Sequence, residues 1–326
     1  MAKMTMVQAL NLALRQEMEK DDRVIVLGED VGLNGGVFRV TEGLFDQFGE
    51  ERSVDTPLAE SAIVGMSIGM AVYGLRPVCE IQFSGFSYLA FHQLEGHASR
   101  LRWRSQGQIH VPMVVRMPYG GGVRALEHHS ESREAYYAHT PGLKMVIPSS
   151  PRNARALLVC AIRDPDPVVF FEPKASYRAF REEVPEEEET LPLGKSQVVR
   201  EGKDVTMISY GAMMRPALEA ASELKEKDGI EAEVIDLLSI SPLDDELFTE
   251  SIRKTGRAVV VHEAVRSFGP GAEIVARAME KAFYYLEAPI ARVTGFDIPV
   301  PLFSREKEYL PGKDRIIRAV KKVLSS

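Results

Sequence analysis

Short apolar runs alternate with helix-length amphipathic segments along almost the whole chain, and this alternation stops once and then restarts. VIVL at Val24 to Leu27, PVCEIQF, VPMVVRM and VVFFEPK are the runs of the first stretch; between them lie helical patterns at about Glu60 to Tyr73, Tyr88 to Arg102 and Asn153 to Ile162. Strands that are apolar on both faces and separated by helices pair in parallel, because a parallel connection needs a crossover long enough to hold a helix. The expectation is an α/β fold with mainly parallel sheets and helices on both faces. An amphipathic helix opens the chain: Thr5 and Gln8 form a capping-box pattern, and Val7, Leu10, Leu14 and Met18 share one face.

The interruption is REEVPEEEETLPLG, with two prolines and a dense acidic run, which reads as a solvated connector. After it come DVTMISYG, EAEVIDL, AVVVHE and APIARVTG, with helices expected near Arg215 to Lys227, Asp245 to Thr255 and Ala272 to Phe283. A last helix begins at Asp314 and turns Ile316, Ile317, Val320 and Leu324 to one side. A chain of 326 residues exceeds what one core usually holds. The expected organisation is therefore a domain over residues 1–180, an acidic linker over 181–199 and a second α/β domain over 200–326.

Several function classes fall away on composition. Hydrophobic residues make up 45% and the net charge is -7, so the chain has core enough to fold and no basic field for nucleic acid. Cys79 and Cys160 stand in apolar runs without CxxC spacing, which suits buried reduced thiols and a cytoplasmic setting. The amino terminus lacks a signal-peptide pattern, and no stretch approaches the ~20 apolar residues of a membrane span. A soluble protein is expected.

Familiar phosphate motifs fail on spacing. LPLGKS has Glu189 where a P-loop needs glycine, and GLNGG (Gly32 to Gly36) and GGG (Gly120 to Gly122) lack the GxGxxG pattern, so both read as tight turns. His92 and His97 lie five apart on an expected α-helix, about 140° around its axis, which keeps them from converging on a metal. Gly65 and Gly69 share a helical face and read as a close-packing surface.

Two segments at strand-to-helix turns carry chemistry. In DTPLAES, Glu60 falls at the start of a nearly all-apolar helix. An acid there complements the helix dipole by about 0.3–1 kcal/mol, but against so dry an element it is also placed to share a proton with a ligand nitrogen. In EHHSES, His128 and His129 occupy a polar loop, where one imidazole can act as acid or base and a solvated role is the alternative. Phe83, Phe86, Tyr88 and Phe91 crowd the turn after PVCEIQF, mostly as packing residues.

GEDVGLNGGVFRVTEGL, DTPLAES, EIQFSGF, EHHSES, PGLKMVIPSSP and FFEPK follow one another in an order that resembles the β subunits of thiamine diphosphate-dependent 2-oxo acid dehydrogenases. The resemblance covers nearly the whole chain. It implies a transketolase-like fold, with a pyrimidine-binding domain followed by a smaller α/β domain. It implies that Glu60 bonds the aminopyrimidine nitrogen of thiamine diphosphate and promotes the imino form that removes the thiazolium proton. By the same likeness His129 handles protons near the thiazolium, Phe86 packs on the aminopyrimidine, and Leu58, Gln82 and Glu29 line the cofactor or substrate pocket. His128 has no family counterpart.

Thiamine enzymes hold Mg²⁺ through a GDG motif and a downstream Asn, and GDG does not occur here. The resemblance places that motif on an α subunit, so the expected assembly is an α₂β₂ heterotetramer with a shared active site. It also implies a potassium site at the carbonyls of Ala161, Asp164 and Asp166, and partners in the lipoyl and peripheral subunit-binding domains of a dihydrolipoamide acyltransferase. The implied reaction is oxidative decarboxylation of a 2-oxo acid with acyl transfer to lipoyl groups; EIQF and FGPGAEI lean towards branched-chain or broad substrates, with pyruvate next. An acetoin dehydrogenase β subunit, or a scaffold whose acidic second domain docks the acyltransferase core, are the other readings.

Overall fold

The computed structural model describes residues 2–326. Its strands are β1 (Ala2–Met4), β2 (Val24–Gly28), β3 (Ser53–Asp55), β4 (Arg76–Glu80), β5 (Val114–Tyr119), β6 (Lys144–Val146) and β7 (Val168–Pro173). There follow β8 (Glu182–Val184), β9 (Gln197–Arg200), β10 (Val205–Ser209), β11 (Ala232–Asp236), β12 (Ser239–Ser241), β13 (Ala258–Val261) and β14 (Ala291–Val293). The first large sheet runs β12-β6-β7-β5-β4-β2-β3, and all its pairs are parallel except β12 with β6.

Strands β2, β5 and β7 are buried at every position, which is why their sequences read as unbroken apolar runs. Alternate side chains still go to opposite faces. Val114, Val168 and Phe170 pack with helices Met6–Lys20 and Pro151–Arg163, whereas Val115, Val169 and Phe171 join a core with helix Glu60–Val72. The capping box at Thr5 and Gln8 forms as the sequence requires. Burial pushes the Cys79 thiol up to about 12, while Cys160 is half-buried and also free.

The second sheet, β14-β13-β10-β11-β9, is parallel apart from its edge strand β9. Helices Met214–Asp228 and Lys313–Leu324 cover one face, while Asp245–Thr255 and Pro270–Ala282 face the first domain. Ile208, Ile235 and Phe248 belong to the same apolar cluster as Val115 and Phe171, so a continuous core joins the two units. No helix of the described residues is long and apolar enough to cross a membrane.

Three expectations need correction. The acidic segment is not merely solvated: β8 pairs antiparallel with β1, Glu188 binds Lys20 at 2.8 Å and also Arg163, and Glu189 clasps Arg152. Charge complementarity with the two helices beneath straps it to the first domain. Strand β12 lies beyond the linker yet completes the first sheet, covering the edge that β6 would otherwise expose. The helix after Tyr88 contains a π turn at Leu94–Ala98, which winds five residues into about one turn and brings the His92 and His97 rings to 5.4 Å. The separation of about 140° expected for an α-helix therefore does not hold. Of the two helical glycines, a Cβ built on Gly65 would meet Gln93, but one built on Gly69 would meet nothing within 4 Å beyond its own helix among the described residues.

Candidate active site

Strands β2, β4, β5 and β7 end along one edge of the first sheet, and the turns leaving them carry the residues singled out from sequence. The Thr56 amide donates to the Gly28 carbonyl at 3.0 Å, tying the proline turn to the end of β2. This places Glu60 as the first residue of its helix. The residue is 8% exposed. Glu29, immediately after β2, is close enough to feel Glu60: burial first, then the charges of Asp30 and Glu60, raise the Glu29 carboxyl above its ordinary range. Asp55 accepts the amides of Gly32 (2.6 Å) and Leu33 (3.1 Å), which fixes the loop that follows Glu29.

From β4 the chain passes through Gln82, which is half-buried, into the 3₁₀ turn Ser84–Phe86. His129 ends a second 3₁₀ turn, Glu127–His129, and its ring lies 4.3 Å from Phe83 and 5.2 Å from Phe86. The Ser84 hydroxyl donates to the Glu131 carbonyl at 2.8 Å, so the two turns are locked together. Burial lowers the His129 pKa, and the charges of Lys174 and His128 lower it further. Its Nδ1 is buried without a partner among the described residues. His128, in contrast, is exposed and hydrogen-bonds Glu127.

Sequence reasoning missed the support beneath this histidine. Lys174, just past β7, is 4% exposed and donates to the carbonyls of Gly120 (2.7 Å) and His129; burial lowers its amine to about 8. FFEPK displays a lysine at a buried strand end, and that was the available signal. Also missed was the ion triad behind the site: Arg116 donates to Glu172 at 2.7 and 3.0 Å and to Glu80 at 2.8 Å, and the Tyr177 hydroxyl donates to Glu172 at 2.5 Å. Single charges inside the apolar runs of β4, β5 and β7 were its trace. The GGG turn has its own use, since the Gly121 amide donates to Glu263 and the Gly122 amide to Glu306, both at 2.8 Å. Those carboxylates come from the second domain and occupy the amides that a phosphate loop would offer.

Not every candidate falls in this cleft. Leu58 is 69% exposed on the turn before Glu60. Ala161, Asp164 and Asp166 lie where helix Pro151–Arg163 leads into the start of β7, at the opposite edge of the sheet. There Asp164 holds Lys144 at 2.7 Å and Asp166 holds Arg102 at 2.7 Å, so resident side chains already supply positive charge. The Ala161 carbonyl accepts the Asp164 amide.

A carboxylate, an aromatic face and an imidazole fit a nitrogen heterocycle, and they stand at the strand ends where open α/β sheets bind ligands. A pyrimidine-binding α/β domain followed by a second parallel α/β unit is the transketolase architecture. Residues 2–179 match the transketolase pyrimidine binding domain and residues 194–316 the transketolase C-terminal domain. A solved split-gene transketolase, described as an inactive β₄ tetramer, shares the fold with a TM-score of 0.79 at 24% identity, over 99% of both chains.

Closer in sequence is the pyruvate dehydrogenase E1 component subunit beta of Acholeplasma laidlawii, 51% identical over 323 residues, 99% of this chain and 98% of the relative. The subunit of the same name from Staphylococcus epidermidis is 52% identical over 324 residues, 99% of each chain. This chain belongs to the family of β subunits of the thiamine diphosphate-dependent 2-oxo acid dehydrogenases.

Proposed function

We propose that this chain forms one half of a decarboxylating active site, which an α subunit completes in an α₂β₂ heterotetramer in the cytoplasm. The observation that carries the proposal is the position of Glu60, a largely enclosed acid at the first residue of its helix, whose charge is felt by Glu29 at the strand ends. A carboxylate in such a place accepts a hydrogen bond from, or gives a proton to, a heterocycle nitrogen, which would repay its desolvation. Phe86 and Gln82 would line the site of that ring, and Leu58, exposed on the turn before Glu60, would reach it only from outside the cleft. When bound, thiamine diphosphate supplies the nucleophilic carbon and the electron sink for decarboxylation. His129 is held neutral by burial and so is ready to take up a proton near the reacting carbon or the lipoyl thiol.

The names of the relatives favour pyruvate as the 2-oxo acid over the branched-chain acids. The α subunit would hold Mg²⁺ and the diphosphate, and lipoyl and peripheral subunit-binding domains of a dihydrolipoamide acyltransferase would receive the acyl group and anchor the assembly. A potassium ion at the carbonyls of Ala161, Asp164 and Asp166 is a lesser part of the proposal; it requires room beside Lys144, and activity indifferent to exchange of potassium for lithium removes it.

The test is co-purification with the α chain and an assay of 2-oxo acid decarboxylation with an artificial electron acceptor. Glu60→Gln should assemble normally and lose turnover, because the amide cannot exchange a proton with the ring. Retained turnover would reject the assignment, and activity of this chain alone would reject the shared site.

A further inference from the structure

On the first domain, outside the cleft just described, the opening helix, the loop after Gly36 and the segment 178–181 enclose a second hollow of about 830 Å³. Four of its lining residues are arginines, Arg15, Arg39, Arg178 and Arg181, against one acid, Glu42. Among the described residues none of the four forms a salt bridge. Arg178 donates to the Phe38 carbonyl (2.8 Å), Arg39 to the Asn34 carbonyl, Arg15 to the Asn11 side chain (3.1 Å), and Arg181 to the Lys3 carbonyl (3.2 Å) and Gln8 (3.0 Å). Several other arginines of the domain meet carboxylates, such as Arg116 with Glu172, Arg152 with Glu189 and Arg163 with Glu17, whereas here four unneutralised ones line a single hollow.

Two further observations set this group apart. The Arg15 Nε is buried without any partner, a desolvated donor that stands to gain from an acceptor. Arg39 has φ +66, a left-handed conformation that a non-glycine residue adopts at a cost and that is found disproportionately at binding sites. These arginines are held by neutral oxygens, which orient the guanidinium groups without neutralising them. Four like charges around one hollow repel one another until an anion enters. Planar guanidinium forks match phosphate oxygens in pairs, and the volume falls within the ~300–1,000 Å³ typical of small-molecule sites.

We infer that this hollow is a binding site for a small polyphosphate anion, either free or carried by a nucleoside. Four positive charges against one negative suit a ligand of about three negative charges, such as pyrophosphate or a nucleoside di- or triphosphate. The inference does not depend on the proposed chemistry at Glu60 and His129.

The experiment is calorimetric titration of the assembled α/β enzyme, saturated with thiamine diphosphate and Mg²⁺ so that cofactor sites are filled, with pyrophosphate, ADP and ATP in turn. One saturable site per β chain is expected, weakening as salt rises. The Arg39→Ala/Arg178→Ala variant should lose at least about tenfold in affinity per guanidinium removed, and Glu42→Gln should bind more tightly. Equal affinity for pyrophosphate and ATP identifies free polyphosphate as the ligand, and preference for ATP identifies a nucleotide. Absence of saturable binding, or unchanged affinity in the double variant with its assembly and circular dichroism intact, overturns the inference. Binding by the isolated β chain that disappears on assembly also overturns it, because the arginines then serve the α subunit.

Discussion

Gly85 sets the distance between the two turns of the cleft, and a single methyl group there tests whether that distance matters. A Cβ built on Gly85 would lie 1.8 Å from the His128 carbonyl oxygen and 2.7 Å from its carbon. Ordinary contacts of this kind need roughly 3.5 Å, so one turn has to retreat by about 1.5 Å. Neither retreats freely: Gly85 is buried, and the Ser84 hydroxyl bonds the Glu131 carbonyl on the far side. The movement must therefore alter the 5.2 Å spacing between Phe86 and His129. A displacement of about 1 Å in a catalytic group costs on the order of a hundredfold in rate, and overpacking costs a further 1–3 kcal/mol or so of stability. Gly85→Ala should accordingly assemble with the α subunit and bind cofactor, yet lose about two orders of magnitude in kcat/KM for acylation of a lipoyl domain. Gly312→Ala is the control, since its methyl would meet nothing within 4 Å and its φ is -90°. Acylation by a folded Gly85→Ala enzyme within about twofold of the unaltered enzyme would show that the position of His129 is not what the reaction reads.

Arg116→Met strands Glu80 and Glu172 in the interior, and losing one partner from a buried ion cluster costs about 3–5 kcal/mol; a urea midpoint shift equivalent to less than about 1 kcal/mol would contradict that. Burial holds the Glu263 carboxyl up at about 7 from an ordinary 4.5, so between those pH values the folded chain binds a proton that the unfolded chain has released. Its contribution to stability is therefore greatest below pH 4.5 and falls by about 3 kcal/mol as pH rises to 7. Glu263→Gln should flatten this slope, and parallel stability curves for the two proteins would refute the assignment. Lys174→Met removes one of the charges that lower the His129 pKa, so the imidazole should titrate at higher pH by NMR; an unmoved titration would mean that Lys174 has no part in setting it.

The placement of Glu60 at a helix start and of His129 in a loop was legible because their surroundings are written next to them. An acid after a proline turn and before an all-apolar helix already specifies a helix start and a dry wall, and EHHSES already specifies a loop. Lys174 was not legible, because its two acceptors, Gly120 and His129, lie 54 and 45 residues away in sequence and are backbone atoms with no residue-type signature. The acidic strap failed for a similar reason: charge runs are usually solvated, and only the fold brings Lys20, Arg152 and Arg163 under this one. The π turn at Leu94–Ala98 escaped because helical periodicity assumes 3.6 residues per turn, and one inserted residue changes every facing relation across it.

The second domain reaches the proposed chemistry through backbone atoms. Glu263 and Glu306 accept amides from Gly121 and Gly122, while Lys174 draws the Gly120 carbonyl and the His129 carbonyl to one ammonium. A side chain at Gly120 would lie 2.6 Å from Glu263, so only glycine allows the carboxylate in. The His129 carbonyl is thus held by Lys174 of the first domain, and the GGG segment, whose Gly120 carbonyl binds the same ammonium, is held by two carboxyl groups of the second domain. Lys174 and Glu263 also influence each other's charge across that turn. These contacts give a physical reason for the cleft and the second domain to be carried on one chain, although the cleft residues named above come from the first domain.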